Sequence, residues 1–348
     1  MGPYIVAIFG LTLGLGTIIT FASSHWLIAW IGLELTSLAM LPLIAQYNHP
    51  RAAEACVKYY LTQAAGAAMI LFAAICNALY MGEWSIHHYS HPFATTLLVF
   101  ALALKLGIAP VHLWVPDVLQ GVDLITGLIM STWQKLAPFV LIIQLTTAEP
   151  ALLTALGIAS ILVGGWGGLN QTQLRKILAY SSTAHLGWMI LVLQFAPLLT
   201  WFALLLYIIT TSSLFMAFHI YRPLTLTALR TAWAKSPILA TLVPILFLSL
   251  AGLPPLTGFM PKWLILQELT SQGFPITATF AALSALLSLF FYCRVGYSLF
   301  MIIPPNIVGS HARWRIPNMP YTLSISFLIV SALVLIPLLP TFIYYLIH

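Results

Sequence analysis

Charge is what this sequence most lacks. Of its 348 residues only 6% are Asp, Glu, Lys or Arg, while 61% are hydrophobic; a soluble domain carries roughly a quarter charged residues. A soluble globular protein is excluded. The net charge of +6 comes from thirteen cations scattered among apolar segments, which make no basic face and set aside a nucleic-acid partner. Cysteine is equally scarce. Cys56, Cys76 and Cys293 are too few for a disulfide framework and lack metal-ligand spacing, so they are expected to be buried small apolar residues. No Cys cluster for iron–sulfur ligation and no paired His ladder for haem is present; the chain is expected to hold no cofactor or metal and to do no redox chemistry itself. Gly14-Leu-Gly16 and Gly164-Gly-Trp-Gly-Gly168 have no strand before them and no placed acid after them, so they are not dinucleotide loops. They read instead as sites of close helix packing. The first apolar run lacks a charged leader and a cleavage site, and is expected to stay as the first helix.

What remains is apolar runs of about twenty residues, each long enough to cross ~30 Å of hydrocarbon at 1.5 Å per residue. Hydropathy and turn signals place about eleven spans, near 3–22, 25–46, 57–80, 93–112, 122–146, 151–170, 175–195, 198–220, 238–271, 276–302 and 322–346. The fold class is therefore an all-α polytopic membrane protein. Lys and Arg set its orientation. Arg51 and Lys58 follow span two, Arg175 and Lys176 span six, Arg222, Arg230 and Lys235 span eight, and Arg313 and Arg315 span ten. The odd-numbered loops contain none. This segregation puts the N-terminus and the even loops on the positive side, which is the matrix in a mitochondrion, and the C-terminus at His348 on the intermembrane-space side.

An internal repeat is the most specific architectural signal. Gly107-Ile-Ala-Pro-Val-His-Leu-Trp-Val-Pro-Asp117 aligns without gaps on Gly252-Leu-Pro-Pro-Leu-Thr-Gly-Phe-Met-Pro-Lys262, 145 residues later. Spans four and nine lie five crossings apart, so the matching segments run in opposite directions, as in inverted-topology transporters. Proline removes a backbone donor and clashes with the preceding turn. Pro110 and Pro116, and Pro254, Pro255 and Pro261, are thus expected to break both spans. Residues 238–271 would otherwise form a helix of about 50 Å. Irregular backbone survives at membrane depth only where protein or water satisfies it, so the breaks mark a hydrated interior.

Four charges sit where charge is expensive: Glu34 in span two, Lys105 before the first break, Lys135 in the middle of span five, and Lys262 after the second break. An ammonium at the bilayer centre costs about 2.5 to 3.5 kcal/mol on insertion scales. His185, central in span seven, joins them as a candidate proton carrier. Plainer roles compete. Lys262 can snorkel or stand solvated beyond the break, Glu34 and Lys105 can form a structural ion pair, and His185 can be a hydrogen-bonded core residue. Lys135, apolar on both sides and too deep to snorkel, has the weakest alternative. His112 and His219 lie nearer span ends, Asp117 and Asp123 flank the first break, and Arg294 in span ten needs a carbonyl or acid partner, Glu268 among others. Lysines beside a carboxylate make an adjustable relay, because burial disfavours the ammonium and the carboxylate favours it. Nearby Tyr, Ser and Thr are suited to holding connecting waters.

Ser23-Ser-His-Trp26, Gly32-Leu-Glu34, His49-Pro-Arg51, Leu119-Gln-Gly121, Leu128 to Pro138 and Ala179 to Trp188, in this order and spacing, resemble the recurring blocks of the chain 2 family of mitochondrial NADH:ubiquinone oxidoreductase, respiratory complex I, in its vertebrate form. The resemblance covers essentially the whole chain. It implies an antiporter-like fold of two inverted five-helix repeats, 1–149 and 150–303, each with one broken helix, followed by a loop and final span at 304–348. It further implies that Glu34 and Lys105 are the family's charge pair, Lys135 its central relay lysine and Lys262 its terminal lysine. Bacterial relatives have fourteen spans, and this chain looks as if it lacks the first three, which leaves one flank open to a neighbouring subunit. The implied function is proton translocation driven by quinone reduction elsewhere in the complex, with other membrane-arm subunits, accessory subunits and lipids as partners. A free-standing cation/proton antiporter and a structural subunit of the membrane arm are the competing functions.

Overall fold

The computed structural model describes residues 2–46, 49–86, 91–145, 149–221, 223–230, 237–301 and 322–334. Asn48, His87, His88, Arg222, Lys235, the Pro304–Asn306 turn, Arg313, Arg315 and the end of the last span with His348 lie outside them. The chain divides into two compact units, Met1–Ala159 and Ser160–His348. Apart from two isolated backbone bridges, the described residues are helix and turn. Seven of the helical segments are long and apolar enough to cross a membrane, and the chain is an integral membrane protein.

The first unit contains α1 (Pro3–Ala22), α2 (Trp26–Ile44), α3 (Pro50–Met81), α4 (Pro92–Leu106), α5 (Trp114–Gly121), α6 (Leu124–Ser131) and α7 (Leu136–Gln144). α1 and α2 cross closely because glycines meet there. A Cβ on Gly16 would lie 2.9 Å from the Gly32 carbonyl, and one on Gly32 2.8 Å from the Gly16 carbonyl, which is the small-residue packing expected of membrane helices. α3 starts seven residues before the apolar run. Its 32 residues span about 48 Å, so Arg51 and Lys58, expected in a loop, ride on a polar extension of the helix. His49 starts α3 and His25 starts α2, each ring accepting the backbone N–H two residues on, at 3.3 and 3.2 Å.

α8 (Pro150–Gly168) leads into the second unit of α9 (Leu174–Val192), α10 (Pro197–Tyr221), α11 (Leu226–Leu229), α12 (Pro237–Ala251), α13 (Phe259–Ser271), α14 (Pro275–Phe300) and α15 (Thr322–Val334). Gly164 approaches Ala184 of α9, and Gly165 approaches Leu287 of α14, so the second glycine cluster also serves packing. The unidentified partner of Arg294 is the Leu169 carbonyl at the end of α8, 2.9 Å away. The cysteines depart from expectation: Cys56 and Cys76 are half-buried and Cys293 is exposed. In a chain bathed in hydrocarbon, facing outward costs an apolar side chain nothing.

Both expected breaks occur, and in the same register. α4 ends at Leu106 and α5 starts at Trp114; α12 ends at Ala251 and α13 starts at Phe259, each bound 145 residues from its counterpart. Gly107 and Gly252 stop the helices with φ of 77° and 81°, a conformation that glycine adopts without a Cβ clash. The residue after each glycine donates to the carbonyl five back, Ile108 to Ala103 and Leu253 to Leu248, a Schellman closure. The peptide bonds before Pro110 and Pro255 are both cis.

Candidate functional site

In the first unit Lys105 stands on the last turn of α4 and is buried, at 4% exposure. Its stem passes α3 at Gly66, where a Cβ would come within 3.1 Å of the lysine Cγ. Its Nζ has no hydrogen-bond partner among the described residues. Glu34 of α2 is half-buried, accepts a hydrogen bond from the Ser37 hydroxyl at 3.1 Å, and acts electrostatically on both Lys105 and Tyr59. Among the described residues the two do not close an ion pair. At the first break Trp114 of α5 donates its indole N–H to the Leu104 carbonyl, 3.0 Å away, which also accepts from the Gly107 N–H.

Lys135 is buried at 5% exposure, as expected, but not on a continuous helix. Span five is interrupted: α6 stops at Ser131, a 3-10 turn covers Trp133–Lys135, and α7 restarts at Leu136. Pro138 explains the interruption. A continuous α-helix would leave the Gln134 carbonyl without a donor, since Pro138 has no N–H; in the first turn of a new helix that N–H is not needed. The sequence contained the signal in Ser131-Thr-Trp-Gln-Lys-Leu-Ala-Pro138, and the apolar residues on either side concealed it.

Beside these charges lie polar residues that a search for charged groups passes over. Tyr59 of α3 is fully buried, its ring set edge-on to Trp114 at 5.9 Å, and its hydroxyl accepts a hydrogen bond from the Gln134 amide at 2.8 Å. Gln63 lies one turn further along α3, also buried, with its side-chain Nε2 unpartnered among the described residues, as is the side-chain Oε1 of Gln134. Listing every polar residue within the apolar spans would have found them. Asp117 is not a bare mouth of the path. It pairs with Lys58 at 2.8 Å, and Lys58 also pairs with Glu54 at 2.8 Å. These residues edge an open polar recess of about 210 Å³ with Arg51 and Gln120. His112, in the first break, is buried, and Asp123 starts α6.

In the second unit Lys262 occupies the first turn of α13 and donates to the Leu250 and Ala251 carbonyls at 3.0 and 2.7 Å. These are end carbonyls of α12, so the ammonium serves as the cation that a helix C-terminus favours. Lys262 neither snorkels nor stands in a solvated loop; the break itself holds it. It shares a cavity of about 30 Å³ with His185, Tyr207, Thr210 and Ser249, enough for a water molecule. His185 lies 3.5 Å from the Tyr292 hydroxyl and packs its ring at 5.7 Å from Tyr207. Ser181 and Ser182 of the same helix are buried and donate to the Leu178 and Ala179 carbonyls, both at 2.8 Å. His219 lies in the last turn of α10, and Glu268 accepts from the Gln272 amide one turn on, 2.9 Å away.

Two helical units with a broken helix each, and a lysine at each break, define a membrane subunit of the antiporter-like class. The family model described as "NADH:quinone oxidoreductase/Mrp antiporter, TM" matches residues 23–288, and "NADH dehydrogenase subunit 2 C-terminus" matches 289–343. The chain is 60% identical to the NADH-ubiquinone oxidoreductase chain 2 of Salmo salar and of Oncorhynchus mykiss, over 98% of this chain and of each relative. It superposes with a TM-score of 0.82 and 28% identity on a chain of respiratory complex I from Thermus thermophilus, covering 97% of this chain and 80% of that one. A chain of the Mrp complex from Dietzia sp. DQ12-45-1b shares the fold, with a TM-score of 0.79, 19% identity, and coverage of 90% and 65%. This protein belongs to the NADH-ubiquinone oxidoreductase chain 2 family.

Proposed function

We propose that this chain is a proton-translocating membrane subunit of respiratory complex I, in which quinone reduction elsewhere in the complex drives protons along Glu34, Lys105, Lys135, His185 and Lys262. It works in the mitochondrial inner membrane beside other membrane-arm subunits, accessory subunits and lipids. Its N-terminus faces the matrix and its C-terminus the intermembrane space. About eleven spans form two inverted repeats, 1–149 and 150–303, with 304–348 appended. The chain carries no redox group of its own; its chemistry is the binding and release of protons.

The observation that carries this reading is Lys105: a buried ammonium with no hydrogen-bond partner among the described residues, at the end of a broken helix and in the field of Glu34. A purely structural lysine at that depth would be expected to have a direct partner, because an unpaired buried charge destabilises by several kcal/mol. A group that loads and unloads a proton instead needs an environment that favours neither state strongly. Each outward proton works against about 2.3 kcal/mol per 100 mV of membrane potential, so the relay groups must bind tightly enough to load and loosely enough to release.

Lys135 provides the test. Methionine keeps much of the stem volume and binds no proton, while arginine keeps the charge and holds its proton too firmly. In sealed vesicles with the content of assembled complex controlled, Lys135→Met and Lys135→Arg should both lower the protons pumped per NADH oxidised. Normal pumping by assembled Lys135→Met complex would reduce the lysine to a structural residue.

A further inference from the structure

We infer that Tyr59 is a positioning residue of the proton path, its hydroxyl linking the Glu34–Lys105 charges to the turn that carries Lys135. The inference rests on the relay reading above and adds to it a residue that carries no formal charge. Tyr59 lies on α3, the helix against which α4 and α5 both pack, and it is fully buried. Its hydroxyl accepts the Gln134 amide, 2.8 Å away, so it is tied to the residue adjoining Lys135. It also lies in the field of Glu34, which acts on Lys105 as well.

The polar groups around this link are out of balance. The Lys105 ammonium and the Gln63 amide nitrogen are donors, the Gln134 carbonyl oxygen is an acceptor, and none has a hydrogen-bond partner among the described residues. All three side chains are more than nine-tenths buried, at 4%, 3% and 8% exposure. Buried polar groups in that condition are ordinarily bridged by ordered water. Gln63 and Tyr59 are one turn apart and face the same way from α3, and the Lys105 stem passes the next turn, at Gly66. The Tyr59 hydroxyl both accepts and donates. With a lone pair engaged by Gln134, its own proton remains available to donate. A hydroxyl so placed can fix a hydrogen-bonded chain without itself ionising. The ring is held by its edge-on contact with Trp114, which is itself anchored to the end of α4, so the hydroxyl has little freedom to leave.

Tyr59→Phe removes the hydroxyl and keeps the ring. In assembled complex it should lower the pumping rate about fivefold, the equivalent of one net hydrogen bond, and should change the pH profile of pumping, which a purely structural role would not move. Because Tyr59→Phe strands the Gln134 amide, the double variant Tyr59→Phe/Gln134→Leu removes both partners and restores balance for folding. It should assemble and show the same loss of rate. Unchanged rate and pH profile in the assembled double variant would overturn the inference, as would a Tyr59→Phe complex that pumps normally. Lys135→Met measured alongside separates the two claims. Loss with Lys135→Met and none with the Tyr59 variants refutes only the link, whereas normal pumping with Lys135→Met refutes the relay on which it rests.

Discussion

The two break lysines should respond in opposite ways to the same substitution. Lys262 donates to two end carbonyls of α12, and hydrogen bonds to a charged group contribute about 1.5 to 3 kcal/mol each. Lys262→Met therefore forfeits about 4.5 kcal/mol at the middle of that range. It also removes an ammonium from the membrane, a relief of about 3 kcal/mol. The net is a loss of about 1.5 kcal/mol concentrated at the second break, or roughly tenfold in the local opening equilibrium. Lys105→Met loses no direct hydrogen bond, so the relief from removing its ammonium is offset only by the lost attraction of Glu34, and the first break should be unchanged or firmer. Amide hydrogen exchange on the intact purified complex reads both. Gly252 and Leu253, whose N–H groups bond Ser249 and Leu248, should exchange about tenfold faster in Lys262→Met, by the same 1.5 kcal/mol. Gly107 and Ile108 should exchange no faster in Lys105→Met. Unchanged protection at 252–253, or faster exchange at 107–108, would refute the claim that one lysine is a helix cap and the other is held only by its electrostatic surroundings.

A double-mutant cycle with Glu34→Gln and Lys105→Met should show strong non-additivity in protons pumped; independent effects would mean that the field between them has no part in transfer. From the segregation of Lys and Arg, a matrix-restricted label or protease should reach the loop around Arg230 and never the loop that begins at Glu83, and the opposite labelling would invert the orientation. Gly16→Leu, with the Gly32 carbonyl 2.9 Å from where its Cβ would lie, should destabilise the α1–α2 crossing by about 1 to 3 kcal/mol and reduce the yield of assembled complex, whereas Gly14→Leu, with nothing within 4 Å of its Cβ, should not.

Sequence by itself determined that this protein lives in a membrane, where its two repeated helices break, and that Lys105 and Lys135 are buried. Each of those rests on a local rule: apolar length, proline and glycine chemistry, and the cost of charge in hydrocarbon. The 145-residue register held on both sides of the break because the same Gly-x-x-Pro chemistry terminates both helices. The tertiary structure alone decided what each buried group faces. Lys262 caps α12, a pairing made across a break whose path no residue pattern encodes. Lys105 has no direct partner among the described residues, and its stem lies against Gly66 on a different helix. Tyr59, Gln63 and Gln134 entered the site through packing between α3 and the interrupted span, and neutral residues carry no charge penalty to betray them in a sequence. The 3-10 turn at Lys135 lies between these cases: Pro138 made it necessary locally, and the apolar residues around it made the span read as continuous.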